Sequence, residues 1–202
     1  MAWSPVERKL RSAGGLLVAG VDEVGRGPLA GPVVACAVIM PPDARAIRGV
    51  ADSKVVSRTD RPILAQRIVE RAIAIGLGAA SVREIDSLNI YHASVLAMRR
   101  AIRRLRVSPD HVIVDGKPIR TLEITHIGII DADATCYSVA CASIVAKVTR
   151  DRLMASLARR YPAYFWESNA GYGTQAHLVA LASAGITVHH RKSFAPVQCL
   201  IR

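Results

Sequence analysis

The 202-residue chain is short of the features that mark several protein classes. No apolar run approaches the roughly 20 residues that a membrane span requires. The opening MAWSPVERKLRSAGG has no apolar segment of the kind a secretory signal carries. Both absences lead to the expectation of a cytoplasmic protein. The cysteines Cys36, Cys136, Cys141 and Cys199 form no CxxC pair and no disulfide-framework spacing. That argues against a secreted disulfide scaffold and against a zinc site, and leaves buried free thiols as the expectation. Internal repeats, low-complexity tracts and long linkers are missing too. Acidic residues are the scarcer charge: 16 Asp and Glu stand against 27 Lys and Arg, a formal net charge of +11. A field of that sign attracts polyanions, and nucleic acid is the natural candidate. A basic surface also serves solubility, and charge alone does not say whether a bound strand is cut.

What is present is a core. The chain is 51% hydrophobic, which is globular rather than disordered. LLVAGVDEV and PVVACAVIM read as buried strands, the second ended by Pro41-Pro42. ILAQRIVERAIA has helical spacing, and IGLGAASV reads as a third strand. NIYHASVLAMRRAIRRLRV is an amphipathic helix stopped before Pro109, with arginines crowding its end that serve either a solvated face or phosphate contact. HVIVDG and HIGIID are two further short strands, and SVACASIVAKVTRDRLMASLARRYP is a long helix. Strands early and helices late give an α/β fold: a mixed sheet flanked by helices, with a helical C-terminal part.

Acids recur where the apolar strands emerge. LLVAGV ends in Asp22-Glu23, HVIV in Asp115, and HIGII in Asp131-Ala132-Asp133. Singly these are ordinary caps or turn formers. Three such strand ends favour a shared site. Clustered carboxylates need a cation, and oxygen-only donors suit Mg²⁺ or Mn²⁺. Two such ions can clamp an in-line displacement at phosphorus. Neighbouring strand residues face opposite ways, so Asp22 and Glu23 are expected to share a site only if the strand ends or bulges there. Gly25-Arg26-Gly27 follows immediately. It fits a Rossmann phosphate loop poorly, because Pro28 intervenes and a strand rather than a helix comes next. A tight turn that brings main-chain amides close to a ligand is the better reading.

Taken in order, DEVGRGPLAGPV, DSK, EIDSLNIYHASVLAM, VDG, DADATCYSVACASIVAKVTRDRLM, GYGT and HRKSF resemble the ribonuclease HII family over nearly the whole chain, from about Gly20 to Val197. The resemblance implies a ribonuclease H-like fold over residues 1–202, with a catalytic α/β core at about 16–160 and a helical extension at about 161–202. It implies a Mn²⁺- or Mg²⁺-dependent endonuclease acting on RNA paired with DNA, and on single ribonucleotides within duplex DNA, to leave 3′-hydroxyl and 5′-phosphate ends. By motif position Asp22, Glu23, Asp115 and Asp133 are the catalytic metal ligands, with Asp131 an extra acid beside them. Gly25, Arg26 and Gly27 resemble the segment that meets the ribose 2′-hydroxyl, the local feature that separates RNA from DNA. Tyr172 resembles the tyrosine that stacks on the sugar. Lys54, Lys147, Arg150 and Arg191 stand as phosphate contacts or structural ion-pair residues. The chain departs from the family pattern at Ala132, at Lys117, and at Asn169-Ala170.

Two other readings compete. A metal-free ribonuclease using histidines would leave a cyclic phosphate, but His189-His190 is the only adjacent His pair, and adjacent side chains rarely converge. A basic binding protein that cuts nothing would have to tolerate an acid cluster repelling the backbone it binds. The expected partner is therefore an RNA–DNA hybrid or ribonucleotide-containing duplex, with no membrane and a monomer as the default.

Overall fold

The computed structural model describes residues 1–14 and 16–201. Five strands, β1 (Val18–Val24), β2 (Val33–Ile39), β3 (Ala74–Ala80), β4 (His111–Asp115) and β5 (Ile127–Ile129), form one mixed sheet in the order β3-β2-β1-β4-β5. β1 and β3 run antiparallel to β2, while β4 runs parallel to β1 and to β5. The helices are α1 (Pro5–Ser12), α2 (Asp60–Arg71), α3 (Val82–Arg103), α4 (Ala132–Thr135), α5 (Tyr137–Arg160), α6 (Trp166–Asn169), α7 (Gln175–Ala184) and α8 (Ala195–Gln198). Among the described residues no helix is long and apolar enough to cross a membrane.

The two-residue period of the strands explains the layering. On β2, Val33, Ala35, Ala37 and Ile39 join the core beneath α3, whereas Cys36 and Val38 join the core beneath α2 and α5. All seven residues of β2 are buried, which is why it reads as a continuous apolar run rather than an alternating one. A third cluster packs the end of α5 against Leu29, Tyr164, Trp166, Leu181 and Val197. α5 lies hard against β1: a Cβ on Gly20 would fall 2.2 Å from the Ser138 carbonyl carbon, so only glycine permits this approach.

Two elements differ from the sequence reading. α1 carries a capping box in which Ser4 and Glu7 each accept the other's backbone N–H; its polar face hid it among the N-terminal charges. α3 begins at Val82, not Asn89, because Ser81 and Glu84 form a second capping box. Asn89 takes a left-handed φ of 67° and its side chain accepts the His92 N–H at 3.1 Å, so the start read at Asn89 is a kink that re-caps the same helix. Three of the five arginines at the end of α3 engage protein, while Arg103 and Arg106 are exposed. Arg99 donates to the Leu122 and Thr121 carbonyls, Arg104 to that of Leu77, and Arg100 grips both oxygens of Glu84, at 3.1 and 2.7 Å.

Candidate active site

The site lies at the C-terminal ends of β1 and β4. Asp22, Glu23, Asp115 and Asp133 all line one cavity of about 520 Å³, together with Gly25, Arg26, Gly27, Lys54, Lys147 and Tyr172. A cavity of about 540 Å³ between Arg48, Val55, Ile63 and Arg67 is as large but includes a single carboxylate, Asp60. The gathering of acids, not the size, marks the first.

The strand neither ends nor bulges at Asp22-Glu23, contrary to the expectation from alternation: its pairing with β2 is unbroken to Val24↔Val34. Pairing with β4 stops earlier, at Val21↔Val114. Beyond it, the edge of β1 is uncovered, and the longer Glu23 side chain reaches from the opposite face into the cavity that Asp22 enters directly. Asp115 ends β4 and accepts the Ala132 N–H at 2.7 Å. That bond seats α4 and delivers Asp133, which is 5% exposed. Asp131 precedes α4, exposed and in a left-handed conformation, with no side-chain capping bond, and does not line the cavity.

Positive charge is unevenly shared among the four acids. Arg26 meets Glu23 at 3.3 Å and Lys54 meets Asp133 at 3.0 Å. Among the described residues Asp22 makes no ion pair. Burial, then the Glu23 charge, pushes its carboxyl well above the usual range, against the restraint of the Glu23 N–H that it accepts at 2.7 Å. Burial raises Glu23 to about 7, although Arg26 opposes it. Asp115 is raised chiefly by burial, and the Ala132 amide works the other way. Among the described residues no three His, Cys, Asp or Glu side chains are already gathered in metal-holding geometry; the two ion pairs draw Glu23 and Asp133 towards their own cations. The donor set nevertheless fits a hard divalent cation. It is all oxygen, and two of its carboxylates, Asp22 and Asp115, make no ion pair among the described residues.

Of the expected substrate residues, Gly25, Arg26, Gly27 and Tyr172 meet in this cavity, with Tyr172 45% exposed. Lys54 and Lys147 line it too, the latter paired with Asp151 at 2.8 Å. Arg191 does not stand where a phosphate contact requires. It is fully buried, and its guanidinium donates to the carbonyls of Gly25, Arg26 and Gly31. Arg150 is likewise buried and donates to the carbonyls of Ala30, Pro32 and Ala170.

Several residues escaped the sequence reading. Ser143 donates to Ser53 at 2.9 Å in the cavity floor. Behind Tyr172, His177 donates from Nδ1 to the Tyr172 carbonyl at 2.9 Å, and its Nε2 accepts from Trp166 and from His190 Nε2, both at 3.1 Å. His190 Nδ1 accepts the Thr187 N–H at 2.9 Å. His177 and His190 are spent on one another, and neither His189 nor His190 lines the acid cavity, which counts against the metal-free histidine reading. Asn169, one of the family departures, is buried; it donates to Tyr164 O and accepts from Gly171 N, both at 2.8 Å, folding the loop that presents Tyr172. Lys117 is exposed and outside the cavity.

Comparison with known proteins agrees with this geometry. The family model for ribonuclease HII matches residues 19–197. A ribonuclease HII of Granulibacter bethesdensis is 53% identical over 201 residues, covering 98% of this chain and 91% of the relative. The solved ribonuclease H2 of Pyrococcus horikoshii superposes with a TM-score of 0.77 at 25% identity, over 91% of this chain and 96% of that one. Bst-RNase HIII, solved in complex with Mn²⁺, shares the fold at a TM-score of 0.72 and 20% identity, over 98% of this chain and 73% of that one. A cavity gathering the expected acids, a sheet of this order and near-complete coverage by these relatives lead to one assignment: the chain belongs to the ribonuclease HII family of endoribonucleases.

Proposed function

We propose that this endonuclease hydrolyses the RNA strand of RNA–DNA hybrids and incises 5′ of single ribonucleotides in duplex DNA, with Asp22, Glu23, Asp115 and Asp133 holding divalent cations, Mn²⁺ or Mg²⁺. The observation that carries the reading is the meeting of those four acids with Gly25–Gly27 and Tyr172 in one cavity. Bound there, the cations supply an activated water and charge compensation at the leaving oxygen. The chain's own residues do the rest. Asp115 is fixed by the Ala132 amide and Asp22 by the Glu23 amide, so both carboxylates are oriented by the chain itself. Lys54 and Lys147 place ammonium groups beside the acids, where a scissile phosphate carries its charge. Arg26 and Gly27, exposed at the rim, face the sugar, and the half-exposed Tyr172 ring beside Gly27 offers a stacking surface. The elements that read the sugar therefore sit beside those that hold the phosphate.

The test is a labelled DNA duplex carrying one ribonucleotide, incubated with Mn²⁺ or Mg²⁺, with and without EDTA, beside an all-DNA control. Metal-dependent incision 5′ of the ribonucleotide, leaving a 3′-hydroxyl, with the control intact, is the expected result. Cleavage that survives EDTA, or a cyclic phosphate product, overturns the metal-centred reading. Cleavage of long hybrids alone leaves the acids in place and removes the role given to Gly25–Gly27 and Tyr172.

A further inference from the structure

Arg191 is 0% exposed and, among the described residues, makes no ion pair. Burying a guanidinium without a carboxylate is costly unless its N–H groups are matched by acceptors. Here they are matched by main chain alone. Nε and Nη2 donate to Gly31 O at 3.0 and 2.8 Å, Nη1 to Arg26 O at 2.8 Å, and Nη2 also to Gly25 O at 2.5 Å. Two of those carbonyls belong to the turn beside the acids.

Peptide geometry gives the consequence. Across a planar trans peptide the C=O of one residue and the N–H of the next point in opposite directions, and the described chain has no cis bonds. With the Gly25 carbonyl held inward by Arg191, the Arg26 N–H must point outward. With the Arg26 carbonyl held inward, so must the Gly27 N–H. Neither amide has an acceptor among the described residues, and both residues are exposed at the cavity. The left-handed φ of +94° at Gly25 lets the chain turn to offer both carbonyls to one side chain. One planar fork can hold several carbonyls in fixed directions, which a single ammonium cannot. Its charge, buried and unpaired behind the turn, also favours an oxygen acceptor in front of it.

We infer that Arg191 is a specificity-determining positioning residue: by pinning the Gly25 and Arg26 carbonyls it aims the amides of Arg26 and Gly27 at an oxygen of the substrate sugar, and so sets the preference for a ribonucleotide over a deoxyribonucleotide. The inference rests on the proposed role of Gly25–Gly27 at the sugar. Arg150 is the natural comparison, since it is equally buried and equally spent on carbonyls, but on those of Ala30, Pro32 and Ala170.

The experiment measures binding in EDTA, where no metal-dependent cleavage intervenes, of the wild type, Arg191→Lys and Arg150→Lys. Each is titrated with a duplex carrying one ribonucleotide and with the same duplex in all-DNA form. The wild type is expected to prefer the ribonucleotide. Arg191→Lys reduces that preference about tenfold, equivalent to about 1.4 kcal/mol, and leaves all-DNA affinity within about twofold; Arg150→Lys keeps the preference. A folded Arg191→Lys with wild-type preference, an equal loss on both duplexes, or an equal loss of preference in Arg150→Lys overturns the inference. A wild type without preference removes the role of Gly25–Gly27 as well, which separates the two failures. Should Arg191→Lys not fold, amide hydrogen exchange on the wild type decides. The Arg26 and Gly27 amides must exchange freely in the unbound protein and be slowed by the ribonucleotide duplex more than by the all-DNA duplex. Protection in the unbound protein, or indifference to the sugar, overturns it.

Discussion

Asp22 shows at the scale of one residue how a site built for a cation strains its own fold. Its carboxyl is buried at 7% exposure beside Glu23 and Asp115, so ionisation is disfavoured in the folded chain and free in the unfolded one. Neutralising it should stabilise the protein while disabling it. Asp22→Asn keeps an oxygen to accept the Glu23 amide and removes the charge. Without metal its melting temperature should rise by about 2–4 °C, the shift expected for ~1 kcal/mol at this size. Cleavage should fall by at least about a hundredfold, the scale on which loss of one electrostatic group in an active site is felt. Calorimetry and the cleavage assay check the two halves, and a lowered melting temperature would show that the carboxylate supports the fold. The glycines beside it separate just as sharply. A Cβ on Gly25 would stand 2.1 Å from Arg150 Nε with φ at +94°, whereas a Cβ on Gly27 meets only the Tyr172 ring, at 3.6 Å. Gly27→Ala should therefore fold with an unchanged melting temperature, yet bind the ribonucleotide duplex several-fold more weakly, because its methyl occupies the space between the turn and Tyr172. Gly25→Ala should lose stability outright. The acids were legible in the sequence because each interrupts an apolar run. Arg191 was not, because a basic residue in a basic tail reads as surface until its carbonyl partners, some 160 positions away, are in view.

At the scale of elements, the orientation of α5 matters most, since it carries Ser143, Lys147 and Arg150. Its N-terminus is capped from outside. Glu7 of α1, fully buried, accepts the Tyr137 N–H at 3.0 Å, the Ser138 N–H at 2.8 Å and the Ser138 hydroxyl at 2.7 Å. A carboxylate on unsatisfied amides at the positive end of a helix is matched in both hydrogen bonding and charge. α1 is further held where Trp3 meets Tyr137 edge-on and donates to Ala44 O, with Arg11 over the Trp3 ring. Glu7→Ala leaves those donors buried without acceptors and should cost about 3 kcal/mol. Urea denaturation should record that loss, while the cleavage rate below the transition stays within about twofold, since Glu7 lies outside the acid cavity. A stability change under about 0.5 kcal/mol would mean that water replaces the carboxylate. The strands and the long helices were legible from period and apolar content. The Ser4-Pro5-Val6-Glu7 start of α1 was present in the letters as a capping box, but its use as the cap of a second helix 130 residues on is a property of the packing.

The whole molecule joins two buried ionisable centres of opposite kind: the acid cavity and the histidine pair packed with Trp166 and Tyr164 under the C-terminal helices. His190 is 1% exposed, and burial, reinforced by His177 and His189, lowers it to about 4. An unfolded histidine titrates near 6.5, so between about pH 4 and 6.5 the unfolded chain binds the extra proton. Its contribution to stability is therefore complete above about pH 6.5 and is lost as pH falls towards 4. The expected slope is about 1.4 kcal/mol per pH unit in the middle of that window. The network gives the loss a structural form: a proton on His190 Nδ1 would face the Thr187 N–H, and one on His177 Nε2 would face both Trp166 and His190. The buried carboxylates pull the other way, since Glu23, raised to about 7, favours the folded state as it takes up protons. Total stability against pH therefore mixes two opposing trends, and a difference is needed to read either. His190→Gln removes one titrating ring and leaves the acid cavity intact, so subtracting its unfolding free energies from those of the wild type cancels the carboxylates. That difference should be flat from pH 8 to 7 and then fall by about 1 kcal/mol between pH 7 and 5.5. A flat difference across the whole range would mean that His190 takes its proton without leaving the network. The neutrality of the pair would then not be what fixes the Tyr172 carbonyl on His177.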